Sequence, residues 1–227
     1  MKQIHFTTAL SAFLLLSAFV FAPAQNDKMV AGIKDALNVG TKNAVAAGSK
    51  LNGYYGNPKI KIPFPPEVQH VEKELRKVGM GKKVDEFVVG MNRAAEGAAK
   101  EATPVFVDAI KKMTVTDAVG LVKGGDGSIT SYFKKKSDAE LVQKFTPAVS
   151  KSLTNVQAAK SWNELAAVYN KIPFVKKTNF DITTYTTRKA VDGLYTLIAD
   201  EESKIRKDPA ARVTSTLKDI FGKVVGP

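Results

Sequence analysis

The chain has 227 residues, a formal charge of +12, no cysteine and two histidines. Without cysteine, thiol catalysis, thiolate metal sites, disulfides and a lipid-modified N-terminus are excluded, so the core must hold the fold alone. The positive charge suits either anionic partners or a well-solvated surface of scattered lysines.

The N-terminus reads as an export signal. Lys2 and His5 lead into an apolar run from Ala9 to Phe21, and Ala22-Pro23-Ala24 supplies the small residues of an A-x-A cleavage site. The run is shorter than the roughly 20 apolar residues that cross a bilayer. The competing reading is an uncleaved anchor. Residues 1–24 are expected to be a cleaved signal peptide, leaving 25–227 as a single helical domain with no transmembrane segment, periplasmic or secreted.

Helical periodicity dominates the remainder of the chain. Val30, Ile33, Leu37 and Val45 predict one long helix from Lys28 to Leu51, ended by Asn52-Gly53. Residues 53–66 then hold four prolines and two glycines, which no helix can run through. They read as an extended strap pinned by Tyr54, Tyr55, Ile60, Ile62 and Phe64, either packing or the wall of a groove. Pro66 opens a helix that Gly79 or Gly81 ends, another runs from Lys82 toward Thr103, and Pro104 interrupts the pattern before Val105–Met113 resumes it.

Thr114-Val115-Thr116-Asp117 resembles a capping box opening a short helix, and Asp126 or Ser128 is placed to cap the helix bearing Ile129, Tyr132 and Phe133. Ser137-x-x-Glu140 and Ser161-x-x-Glu164 read as two more capping boxes. Lys171-Ile172-Pro173-Phe174 breaks the chain, Asp181 caps the strongest periodic segment (Thr184 to Lys207), and Asp208-Pro209 opens a last helix to about Phe221. The fold class is all-α: a compact single-domain array of about eight to ten helices with a proline-rich strap near the N-terminus.

Two helices carry candidate site residues. On the first, Asp85, Asn92 and Glu96 fall within a stripe roughly 40° wide, with Arg93 about 60° further round. The stripe is either a wet face tied by Arg93 and Glu96 at i, i+3 spacing, or part of a site. On the second, Val191, Leu194, Ile198 and Ile205 form an apolar arc that contains Glu202, with Arg188 and Arg206 at its margin and Asp192 one turn beyond Arg188. Charged groups on a central helix must be paired. Structural ion pairing and a pocket in which Arg188 holds an anion while a carboxylate does acid or base work are both open.

Other chemistries are poorly served. His70, the one histidine left after cleavage, sits in a charged stretch that reads as an exposed helix, so a three-histidine zinc site cannot be built and a catalytic triad has little to use. Glu67-x-x-His70 has no second copy for a carboxylate-bridged dimetal site, and the Asp126 loop lacks the ligands of an EF-hand. No dinucleotide, Walker or nucleophile-elbow motif is present, so no metal and no cofactor are expected. The basic clusters Lys82-Lys83, Lys111-Lys112, Lys134-Lys135-Lys136 and Lys176-Lys177 are short and not interleaved with aromatics, which argues against nucleic acid.

The strings Gly32-Ile33-Lys34-Asp35-Ala36-Leu37, Gly56-Asn57-Pro58 through Ile62-Pro63, Met91-Asn92-Arg93-Ala94-Ala95-Glu96, Met113-Thr114-Val115-Thr116-Asp117-Ala118, Gly124-Gly125-Asp126, Thr187-Arg188-Lys189-Ala190-Val191-Asp192-Gly193-Leu194 and Leu217-Lys218-Asp219-Ile220-Phe221-Gly222 together resemble the bacterial family filed as domain of unknown function 4197. The resemblance covers essentially the whole chain after the leader. It implies an exported, mainly helical envelope protein of Gram-negative bacteria and no particular activity.

The reading that results is a periplasmic protein that binds an envelope partner, or a small amphipathic or anionic ligand in a groove between helices, with Asp85, Asn92, Arg93, Glu96, Arg188, Asp192 and Glu202 as candidate ligand-binding residues. One alternative is an enzyme using Glu96, Asp192 or Glu202 on an anionic or sugar substrate. Another is a basic surface in peripheral contact with anionic lipid head groups.

Overall fold

The computed structural model of the protein describes residues 23–212 together with positions 215 and 218. It is all-α, with no strand among the described residues. The helices are α1 (Pro23–Ser49), α2 (Gln69–Lys77), α3 (Gly81–Ala98), α4 (Ala102–Lys111), α5 (Val115–Lys123), α6 (Ser128–Asn155), α7 (Ala158–Tyr169) and α8 (Ile182–Lys207). Short 3-10 turns precede α2 (Pro66–Val68), join α3 to α4 (Ala99–Glu101) and follow α8 (Pro209–Ala211). The expected leader falls on residues outside the described ones up to position 22, and so does nearly all of the expected last helix beyond Arg212.

Helix α8 is central, as its two apolar faces require. It packs against α1, α3 and α6, while α6 also covers α3 and α4, and α7 lies against α2 and α3. Ala190, Val191 and Leu194 are completely buried, and Leu197 is nearly so. Phe106, Phe133 and Tyr195 stack edge to face where α4, α6 and α8 meet. Phe64, Phe87, Trp162 and Phe180 form a second aromatic cluster between the strap, α3 and α7.

Several local expectations are corrected. Helix α6 runs unbroken for 28 residues, through both the expected start at Ser137 and Pro147. Ser137 sits mid-helix, its hydroxyl turned back to the Phe133 carbonyl at 2.6 Å and lying 3.1 Å from the Tyr195 hydroxyl. An S-x-x-E string is also ordinary i, i+3 helix content, and here continuous burial on one face overrides it. Ser161 likewise lies inside α7, whose N-cap is Gln157 in the left-handed region. The break between α3 and α4 comes at Ala99–Glu101, ahead of Pro104, which takes a first-turn position of α4 where its missing N–H costs nothing.

Two local signals hold. Thr114 and Asp117 form a reciprocal capping box at the start of α5, and the Asp181 carboxylate accepts from Thr183 N and Thr184 N to cap α8. Gly79, with φ of +83°, closes α2 in the left-handed conformation that glycine adopts without penalty.

The strap is built differently along its length. Residues 51–60 coil into successive turns, with Gly56 N bonded to Asn52 O and Asn57 N to Tyr54 O at 3.1 Å each. Residues 61–65 then run open to Pro66. Tyr54, Ile60, Ile62 and Phe64 are buried as expected, whereas Tyr55 is half-exposed, its ring under Lys61 Nζ at 4.2 Å.

Candidate functional site

The polar stripe of α3 does not face water. Asn92 is 0% and Glu96 5% exposed, because the strap lies across them. Buried strap backbone needs partners, and the stripe supplies them. Asn92 Oδ1 accepts from Ile62 N and Asn92 Nδ2 donates to Ile62 O, both at 2.8 Å. Glu96 Oε1 accepts from Tyr54 N at 3.1 Å and Tyr55 N at 3.2 Å, while its Oε2 takes Arg93 Nη1 at 2.6 Å. Arg93 Nη2 reaches on to Asn52 Oδ1 at 2.8 Å. Asp85 does not share this cluster. It is exposed at the start of α3, ion-paired to Arg76 of α2 at 2.7 Å.

The α8 candidates separate in the same way. Arg188 grips Asp138 of α6 through a two-pronged fork at 2.6 and 3.0 Å, and reaches Asp192 at 3.2 Å. The adjacent guanidinium holds the Asp138 carboxyl below its ordinary range. This cluster is half-exposed.

Glu202 is 2% exposed, and its carboxylate caps the first turn of α6: Oε1 accepts from Ile129 N at 3.1 Å, and Oε2 from Thr130 N at 3.0 Å and Thr130 Oγ1 at 2.9 Å. Arg206 Nε pairs with Glu202 Oε1 at 3.1 Å, and Arg206 Nη2 reaches Leu121 O and Ser128 Oγ. The expectation that Asp126 or Ser128 caps α6 is therefore overturned. Asp126 pairs with Lys207 at 2.7 Å, and the cap comes from a helix 70-odd positions away in sequence. A carboxylate is a better partner for the positive end of a helix than a local hydroxyl.

The seven sequence-derived candidates thus occupy four separate places, and the buried ones spend their polar atoms on backbone and arginine within the fold. Nothing in their geometry offers two carboxylates to a common cavity. Among the described residues, no group of three or more histidine, aspartate or glutamate side chains comes together as a metal cage.

Open space lies elsewhere. A groove of about 490 Å³ runs between α7 and the segment leading into α8, lined by Ala159, Trp162, Asn163, Ala166, Ala167, Asn170, Thr178, Asn179, Phe180, Asp181, Ile182 and Thr183. Its lining mixes polar and apolar groups: Trp162, the only tryptophan of the chain, lies edge-on to Phe180 at 6.1 Å and stacks on Phe87, with Asn163, Asn170, Thr178 and Asn179 around it. The wall is held open by polar clamps. Trp162 Nε1 donates to Phe180 O at 3.1 Å. The Asn170 amide brackets Thr178, accepting from its N–H at 2.9 Å and donating to its carbonyl at 3.2 Å.

A smaller depression of about 200 Å³ continues from Thr178, Asn179 and Phe180 to Lys176, Lys177, His70 and Glu67. Asp181, on the wall of the groove, is engaged by Thr183 N, Thr184 N and Thr184 Oγ1, which together hold it below its usual range. Sequence reasoning passed over this groove. Lys171-Ile172-Pro173-Phe174 was legible as a break, but the return of the segment onto α7 depends on the Asn170 clamp, which has no sequence signature.

The family model described as Protein of unknown function (DUF4197) matches residues 23–222, and the chain belongs to that family. No curated protein and no solved structure matches.

Proposed function

We propose that this member of the DUF4197 family is an exported, non-enzymatic binding protein whose ligand is a small amphipathic anion held in the groove between α7 and residues 170–183. The observation that carries the reading is a groove that passes over Trp162, Phe180 and the α7 alanines and runs to a mouth with two lysines. Ligand sites are commonly concave, about 300–1,000 Å³, and furnished with a few fixed polar groups. Trp162, Phe180 and the α7 alanines would take an apolar tail, while Lys176, Lys177 and His70 would face an anionic head. Binding is favoured over turnover because Asp181, the carboxylate on the wall between α7 and α8, is already committed to capping α8. Export rests on the leader pattern, and no helix among the described residues is long and apolar enough to cross a membrane.

The test uses the lone tryptophan. Dodecyl phosphate, titrated below its micellar range, is expected to shift Trp162 emission saturably. Lys176→Gln with Lys177→Gln should weaken the titration about tenfold or more, consistent with loss of two charge-assisted contacts, and Ala166→Leu should block it. Emission that does not respond to the probe, or responds identically in all three proteins, sinks the proposal.

A further inference from the structure

The loop that walls the groove also carries an apolar tip that is fully exposed among the described residues. Phe174 is fully exposed and holds φ of +64°, a left-handed conformation that is an outlier for a bulky aromatic residue. The chain does not use the strain to bury the ring. The ring is presented outward instead, while Ile172 and Val175 on either side turn inward and pack on the core. The base of the loop is fixed by the bidentate Asn170–Thr178 clamp, so the ring sits on an anchored platform. Lys171, Lys176 and Lys177, within three positions of it in the chain, are all exposed, and no acidic residue occurs in the sequence between Glu164 and Asp181.

We infer that this loop is a membrane-docking finger: Phe174 inserts into the interfacial layer of an anionic phospholipid bilayer while Lys171, Lys176 and Lys177 lie among the head-group phosphates. A single projecting ring is too small a patch for a stable protein interface, which buries roughly 800 Å² on each partner. One apolar tip flanked in the chain by cations is what a bilayer interface accepts, with the ring below the head groups and ammonium groups on long stems at their level. The finger stands apart from the ligand reading, although both use the same loop. It would place the mouth of the groove at the membrane surface.

The experiment is vesicle co-sedimentation of the purified protein with phosphatidylcholine vesicles and with vesicles half phosphatidylglycerol, at low and high salt. Binding is expected to the anionic vesicles alone and to fall steeply with salt. Phe174→Ala should weaken it about tenfold, the size expected for one aromatic ring leaving the interface. Lys171→Gln should weaken it about fivefold, the contribution of one cation near an anionic surface. Phe174→Trp should bind like wild type and gain a blue-shifted emission component that wild type lacks. Ala166→Leu, which fills the groove and leaves the finger alone, should bind vesicles normally, so failure of the groove and failure of the finger read differently. Because the Phe174 side chain is fully exposed, its variants are expected to keep the helical circular dichroism of wild type. Wild type that ignores anionic vesicles, or a Phe174→Ala protein that binds them as tightly, overturns the inference. So does self-association that Phe174→Ala abolishes, since the ring would then serve a protein contact.

Discussion

The ring of Tyr54 lies against Gly193, so close that a Cβ built on that glycine would stand 2.5 Å from Cε1 and 3.2 Å from both Cζ and the hydroxyl oxygen. The same hydroxyl donates to Ala190 O at 2.6 Å. Tyr54 is 0% exposed, and burial together with the charges of Glu96 and Asp192 holds its phenol protonated far above the usual range. The strap is thereby plugged into α8 by a neutral donor, and Gly193 is the space the plug requires. Gly193→Ala is expected to destabilise by about 2–3 kcal/mol, because the buried Tyr54 ring and the α8 backbone must separate. Tyr54→Phe should cost about 1 kcal/mol, the net worth of one buried hydrogen bond. Urea midpoints measure both, and Gly193→Ala at wild-type stability would show that the strap does not seat this way.

Asn92 gives the strap its second fixed point. Its amide both donates to and accepts from Ile62, so it acts as a strand partner for one residue. Asn92→Asp keeps an acceptor for Ile62 N but turns an ionised oxygen toward Ile62 O and Val88 O, which Asn92 Nδ2 reaches at 2.8 Å each. An aspartate forced into this buried place would have its folded pKa raised above the unfolded value of about 3.9. A raised folded pKa means that the variant's deficit is smallest below the unfolded value and grows as pH rises through the folded one. Asn92→Asp should therefore approach wild-type stability near pH 3 and lose about 3 kcal/mol or more at pH 7. A deficit constant across that range would count against the described hydrogen bonds.

How far the sequence discloses this arrangement depends on how local each device is. The Thr114 box and the Asp181 cap were legible because donor and acceptor lie within three residues. On α8, Glu202 stood out as a charge inside an apolar arc. What Glu202 holds was not legible, since the N-terminus of α6 reaches it through tertiary packing. The α3 stripe was misread for a related reason. Amphipathic periodicity tells polar from apolar faces, but a polar face can be covered by irregular backbone, whose unpaired N–H and C=O groups need such side chains as much as water does. Trp162 and Asn170 gave no signal at all, because a groove is made by the way a loop returns to its helix.

Glu202 is where the core is expected to be most sensitive to one atom. Glu202→Ala removes the acceptor for Ile129 N, Thr130 N and Thr130 Oγ1 and the buried carboxylate beside Arg206. The expected cost is about 3–4 kcal/mol. Glu202→Gln keeps one oxygen as an acceptor and should lose roughly half as much. Amide hydrogen exchange at Ile129 and Thr130 provides the local readout: both should speed up in Glu202→Ala well before the α8 amides do. Equal exchange in the variant and wild type would mean that the cap of α6 is supplied from elsewhere.

The Asp138–Arg188 fork predicts a modest acid sensitivity that can be separated from the rest of the molecule. Arg188 lowers the Asp138 pKa through a side-chain hydrogen bond and its charge. A lowered folded pKa gives stability that is fully present above the unfolded value of about 3.9 and is lost as pH falls through the folded one. Both side chains are about two-fifths exposed, so solvent screening limits the contribution to about 1 kcal/mol or less. Between pH 6 and pH 3, wild-type stability should therefore fall more steeply than that of Asp138→Asn, and the two curves should converge at the acid end, where Asp138 is protonated. Thr184 and Thr183 lower the Asp181 pKa in the same direction, so Asp138→Asn should retain part of the slope. Urea midpoints at four or five pH values resolve this, and parallel curves for the two proteins would show that the fork is a surface contact without energetic weight.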